Sequence, residues 1–147
     1  MKGLGTALVT PFTKEGKVDY ESLGQLIEHQ VAGGTDYLVI LGTTSEVPTL
    51  THKEQDIIIE YVVQKVAGRI PLVLGIGGNS TAAVVERIEE LKEQLVAHFA
   101  AILSVTPYYN RPQQEGLYQH FCAVAEASPV PVILYNVPKR TGVNLLP

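Results

Sequence analysis

Five apolar, partly β-branched runs recur along the chain: Gly5-Thr6-Ala7-Leu8-Val9, Tyr37-Leu38-Val39-Ile40-Leu41, Pro71-Leu72-Val73-Leu74-Gly75, Ala100-Ala101-Ile102-Leu103-Ser104-Val105 and Pro131-Val132-Ile133-Leu134-Tyr135. Their starts lie about 30 residues apart, the length of one βα unit. Nearly every position in a run is apolar, rather than every second one. That pattern predicts strands covered on both faces, as in a parallel sheet with helical crossovers.

Between the runs the apolar period lengthens to that of a helix. Asp19 stands as an N-cap before a face of Leu23, Leu26, Ile27 and Val31, closed by Gly33-Gly34. Thr51 and Glu54 form a capping-box signature ahead of Ile57, Ile58, Tyr61, Val62 and Val66, which ends at Gly68. Ser80 or Thr81 caps a third helix with Val84, Val85, Ile88 and Leu91 inward. A fourth spans about Gln114 to Ala127, with Leu117, Phe121, Val124 and Ala125 on one side. One junction breaks the rhythm: residues 89–99 hold no Gly, Pro, Asn or Asp, so either the third helix is long or its loop is unusual.

The order βαβαβαβαβ, with no linker or low-complexity segment, predicts one α/β domain over residues 1–147. Two architectures share that order: part of a (βα)8 TIM barrel, about half of one, and an open, flavodoxin-like doubly wound sheet. Composition narrows the field of functions. Hydrophobic residues make up 46% and charged residues 18%, which excludes disorder. A formal charge of -4 leaves no basic footprint for nucleic acid. Cys122 is the only cysteine, so no internal disulfide forms and a cytoplasmic setting is expected. No export signal or membrane-length apolar run is expected either.

In both architectures ligands bind where strands end, so the segments after the runs carry the chemistry. They are Thr10-Pro11-Phe12, Gly42-Thr43-Thr44-Ser45-Glu46, Gly75-Ile76-Gly77-Gly78-Asn79, Thr106-Pro107-Tyr108-Tyr109-Asn110-Arg111-Pro112 and Tyr135-Asn136-Val137-Pro138-Lys139-Arg140-Thr141-Gly142. Hydroxyls dominate, with a guanidinium and small residues that admit the backbone. Such a set suits a small carboxylate with a neighbouring carbonyl, the phenols relaying protons.

Gly42-Thr43-Thr44, Thr106-Pro107-Tyr108-Tyr109-Asn110, Leu134-Tyr135-Asn136-Val137-Pro138 and Arg140-Thr141-Gly142 resemble the motifs of the dihydrodipicolinate synthase family. Thr10-Pro11-Phe12 and the segment Gln114 to Phe121 match as well, in order and at near-family spacing. The resemblance implies a lyase of lysine biosynthesis, a partial TIM barrel that works as an oligomer. In that family pyruvate forms a Schiff base with a lysine on the sixth strand and condenses with aspartate semialdehyde. By motif position Thr43, Tyr109 and Tyr135 match the proton relay, Tyr109 being supplied across a dimer interface. The backbone around Thr43 and Thr44 would hold the pyruvate carboxylate, and Arg140 the carboxylate of the second substrate. No cofactor is implied.

Four departures accompany the match. The 147 residues stop before the sixth strand and its lysine, and Lys139 lies outside the position that places the nucleophile. Ser45 stands where the family's usual residue is Gly and Val47 where Ser is common; a left-handed backbone at position 45 would strain serine. The connection before the fourth strand is a few residues too long and lacks its usual turn. Asn79 and His52 match the family's lysine-inhibition site, but Ala83 replaces the Glu of lysine-sensitive members.

Simpler readings stand beside these. Tyr108, Tyr109 and Tyr135 would otherwise be rim aromatics, and Arg140 a surface charge. Gly75-Ile76-Gly77-Gly78 resembles a phosphate cradle but lacks the third Gly of the dinucleotide fingerprint, so close strand-to-helix packing is the expectation. His29, His52, His98 and His120 lack ligand spacing for a metal. Cys122 reads as a packing residue, and the charges from Glu86 to Glu93 as a solvated helix face. The expectation is a section of the synthase with little or no lyase activity alone. The alternatives are a non-catalytic, self-associating half-barrel module, and a subunit active only with a partner chain carrying the remaining strands.

Overall fold

The computed structural model describes all residues from Met1 to Pro147, and divides them into two compact units, Met1–Leu74 and Gly75–Pro147. In the first, β1 (Gly5–Ala7), β2 (Tyr37–Ile40) and β3 (Leu72–Gly75) pair in parallel and in chain order, Ala7 opposite Val39 and Val39 opposite Val73. Helices α1 (Tyr20–Ala32) and α2 (His52–Val66) are the crossovers. Their starts are encoded locally. Asp19 accepts from the Ser22 amide at 3.0 Å, and Thr51 and Glu54 make the reciprocal capping box. Both carboxyls are held below the usual carboxylate range, chiefly by the backbone amides they accept from. Glu28 of α1 takes a bidentate bond from Arg69, just beyond α2, with both contacts at 2.8 Å.

The first core lies between sheet and helices. Leu23 and Ile27 from α1, Ile58, Ile59, Val62 and Val66 from α2, and Leu38, Ile40, Leu72, Val73 and Leu74 from the strands are all buried. Ile57 was expected on this face but points outward, and Ile59 takes its place.

In the second unit β4 (Ala101–Val105) and β5 (Val132–Tyr135) pair in parallel, Val105 opposite Tyr135. Helices α3 (Thr81–Glu90), α4 (Lys92–His98), α5 (Gln114–Ala127) and the short α6 (Pro138–Thr141) complete it. The difficult junction is neither one long helix nor a loop. Its two helices meet at Leu91 (φ -95°, ψ 5°), which is buried. Phe99 then extends directly into β4. α5 buries Leu117, His120, Phe121 and Val124, whereas Ala125 faces outward, correcting the expected face by one position.

The parallel α/β class is as the apolar runs predict, but complete covering of every strand is not. Ile133 and Leu134 of β5 remain 36% and 48% exposed.

Candidate functional site

Each expected site residue ends or follows a strand, and each is accounted for within its own unit. In the first, β2 leads through Leu41 into an extended Gly42 and a 3-10 turn at Thr43–Ser45. Leu41 (φ 52°) and Glu46 (φ 56°) bracket this turn in left-handed backbone although neither is glycine. Non-glycine residues hold that conformation only when their surroundings impose it, and such strain gathers at functional loops. Thr43 and Thr44 are exposed, while Ser45 is only 2% exposed. Position 45 is not left-handed, so the feared serine strain is absent; it falls on Glu46 instead.

The Ser45 hydroxyl donates to the Leu8 carbonyl at 2.6 Å, and the Thr10 hydroxyl donates to the Ser45 carbonyl at 2.8 Å, both bonds buried. The turn is thereby tied to the end of β1. Its own backbone adds Ser45 N–H to the Gly42 carbonyl at 3.0 Å and Glu46 N–H to the Thr43 carbonyl at 3.2 Å.

In the second unit, Tyr135 ends β5, half-buried, and its carbonyl accepts from the Thr106 amide at 3.1 Å. The segment after β4 turns sharply, with Tyr109 at φ 72° and Arg111 at φ 47°, and Asn110 anchors it by donating to the Asn79 carbonyl at 3.0 Å. Tyr109 is 89% exposed, its phenol projecting from the turn. Arg140 is exposed on α6, which closes at Gly142 (φ 74°). A Cβ built on Gly142 would lie 2.7 Å from Arg111 Nε, so the Arg111 guanidinium rests directly on the turn that carries Arg140. This contact brings the Tyr109 segment and the Arg140 turn together. Arg111 stood in the sequence only as one charge among several, and nothing there signalled that it would seat on Gly142.

The remaining candidate groups read simply. No group of three or more His, Cys, Asp or Glu residues could hold a metal ion. His120 is buried in α5; its Nδ1 lies 2.9 Å from Thr81 Oγ1 of α3, its Nε2 has no partner, and burial holds its pKa below 6.5. Cys122 is half-buried, four positions after Tyr118 on α5, and its sulfur raises the pKa of the Tyr118 phenol. Gly77 packs against β4: a Cβ there would lie 2.8 Å from the Val105 amide nitrogen, which accords with close packing rather than a phosphate cradle. All seven lysines, at positions 2, 14, 17, 53, 65, 92 and 139, are exposed, and none lies on a strand. No helix is long and apolar enough to cross a membrane.

With that geometry in place, likenesses to known proteins can be added. The Dihydrodipicolinate synthetase family model matches residues 1–147. The 4-hydroxy-tetrahydrodipicolinate synthase of Parabacteroides distasonis is 58% identical over 145 residues, covering 99% of this chain and 48% of that protein. Its counterpart from Geotalea daltonii is 57% identical over 146 residues, covering 99% and 49%. Dihydrodipicolinate synthase from Aquifex aeolicus superposes with a TM-score of 0.90 at 46% identity, covering 99% of this chain and 48% of that one. The chloride-inhibited enzyme from Acinetobacter baumannii, complexed with pyruvate, superposes at 0.91 and 46% identity, covering 97% and 48%. The chain spans about half the length of the curated relatives it matches.

Proposed function

The chain belongs to the dihydrodipicolinate synthetase family, and from that premise we propose that it is a section of a pyruvate-dependent, aldolase-type lyase of lysine biosynthesis. In this reading it carries part of the substrate-holding rim and not the amine that forms the imine. Thr43 and Thr44 hold the keto-acid carboxylate. Thr43, Tyr109 and Tyr135 pass protons, and Arg140 pairs with the carboxylate of the second substrate. Hydroxyls suit the first two tasks because they both donate and accept, and a guanidinium suits the third because its planar fork matches a carboxylate. A reducing, cytoplasmic setting goes with this reading, as does assembly with further copies of the chain.

The observation that carries the proposal is the contrast between hydroxyls and amines. The candidate hydroxyl groups lie at strand ends, whereas no lysine lies on a strand, and Lys139, which alone shares a strand-end segment with them, is exposed on α6. A Schiff-base lysine needs an amine made neutral by desolvation or a nearby cation and aimed at the bound carbonyl. Hydroxyls that stabilise a transition state cannot replace that covalent step. In this reading the chain alone has little or no lyase activity. Incubation with pyruvate and borohydride, followed by intact-mass measurement, should leave its mass unchanged; a reduced pyruvate adduct on one of the seven lysines would refute the reading.

A further inference from the structure

The hydroxyl of Ser45 is buried and hydrogen-bonded beside the proposed keto-acid turn, and the roles assigned above do not use it. We propose that Ser45, bracketed by Thr10, is a positioning residue that presents the Thr43-Thr44 turn to the substrate carboxylate. The proposal rests on the reading that this turn holds pyruvate.

Ser45 is 2% exposed and Thr10 5%, so water does not compete for their hydroxyls. Ser45 Oγ reaches the Leu8 carbonyl at 2.6 Å, and Thr10 Oγ1 reaches the Ser45 carbonyl at 2.8 Å. The Leu8 carbonyl and the Thr10 hydroxyl, two positions apart in the segment that follows β1, hold position 45 at two points, one at its side chain and one at its backbone. The backbone on either side of this grip is left-handed at Leu41 and at Glu46, both non-glycine residues. A turn strained at both ends relaxes unless something holds its middle. The buried bracket is that hold.

Glycine, which the resemblance places at this position, has no hydroxyl to donate. A turn built with it would depend on other contacts; in this chain the serine replaces backbone freedom with a tether. Ser45 itself touches no substrate. It acts through the two threonines that precede it.

The test follows Thr43 and Thr44 amide signals by nuclear magnetic resonance while the 147-residue chain is titrated with pyruvate, in wild type, Ser45→Ala, Ser45→Thr and Thr10→Val. Loss of one buried hydroxyl bond should weaken pyruvate binding by about 5- to 30-fold in Ser45→Ala. Ser45→Thr, which keeps the hydroxyl, should recover most of that loss. Thr10→Val, close in volume, should weaken binding in the same direction while leaving the Ser45 donor in place, and it decides the matter if Ser45→Ala does not fold. A wild-type chain that responds to pyruvate while Ser45→Ala and Thr10→Val respond equally overturns the proposal alone. A wild-type chain whose Thr43 and Thr44 amides ignore pyruvate overturns the pyruvate reading, and this proposal with it.

Discussion

Replacing Gly77 with alanine sets two effects of opposite sign against each other at one atom. Neither Gly77 nor Gly78 has left-handed backbone, so alanine is conformationally allowed at both. Alanine there would stabilise the fold by about 0.4–1 kcal/mol through the unfolded chain. At Gly77, however, the new Cβ would stand 2.8 Å from the Val105 amide nitrogen and 2.9 Å from its Cγ1. Comfortable contact begins at about 3.5 Å, so the overlap is roughly 0.7 Å, and it is with backbone that cannot rotate away. Overpacking of this kind costs about 1–3 kcal/mol, which outweighs the entropic gain and leaves a net loss of about 1–2 kcal/mol. At Gly78 the nearest atom is Val84 Cγ2 at 3.4 Å, near ordinary contact, so the gain should survive almost whole. Thermal unfolding followed by far-ultraviolet circular dichroism should show Gly77→Ala melting about 2–8 °C lower and Gly78→Ala at or slightly above wild type. Equal melting temperatures for the two variants would refute the packing argument and return the segment to consideration as a ligand cradle.

Two further predictions concern titration and association. His120 has its pKa lowered below 6.5 by burial, so the unfolded chain binds the extra proton first. That part of the stability is complete above the unfolded value and is lost as pH falls through about 6.5 toward the folded value. Urea midpoints should therefore drop on going from neutral to mildly acidic solution, before the carboxylates of Asp19 and Glu54 take part, and the drop should shrink in His120→Gln. An unchanged slope in that variant would show that His120 is not the titrating group. Ile133 and Leu134 leave apolar surface open on β5, so the isolated chain should sediment above its 16.0 kDa, and Leu134→Lys should return it toward the monomer. A wild-type chain that stays monomeric at high concentration would remove the case for self-association.

What the sequence made legible is what short-range chemistry decides. The Asp19 cap, the Thr51 and Glu54 box and the Gln114–Ala127 helix are written in residues three or four positions apart, and each formed as expected. The strands coincide with the apolar runs for the same reason. Helix faces were less secure. Ile57 and Ala125 are apolar and sit one step from the buried stripe, and only the packed neighbours show which side a borderline position takes. Half of the left-handed positions were invisible, because Leu41, Glu46, Ala67, Tyr109 and Arg111 carry them without glycine. The candidate residues were legible through their motifs. The bonds that support them were not, since Ser45 to Leu8 spans 37 positions and Asn110 to Asn79 spans 31.

The break at Leu91 bears on the order in which the chain acquires its structure. The hydrogen bonds from Leu91 N–H to the Arg87 carbonyl and from Leu95 N–H to the Leu91 carbonyl continue the helical ladder across it, and no proline, glycine or serine stands there to interrupt it. Nothing local prefers a bend. Leu91 and Leu95, one helical turn apart, are both buried there. A peptide cut from Thr81 to His98 should therefore populate one uninterrupted helix, and the division at Leu91 should appear only once tertiary packing forms.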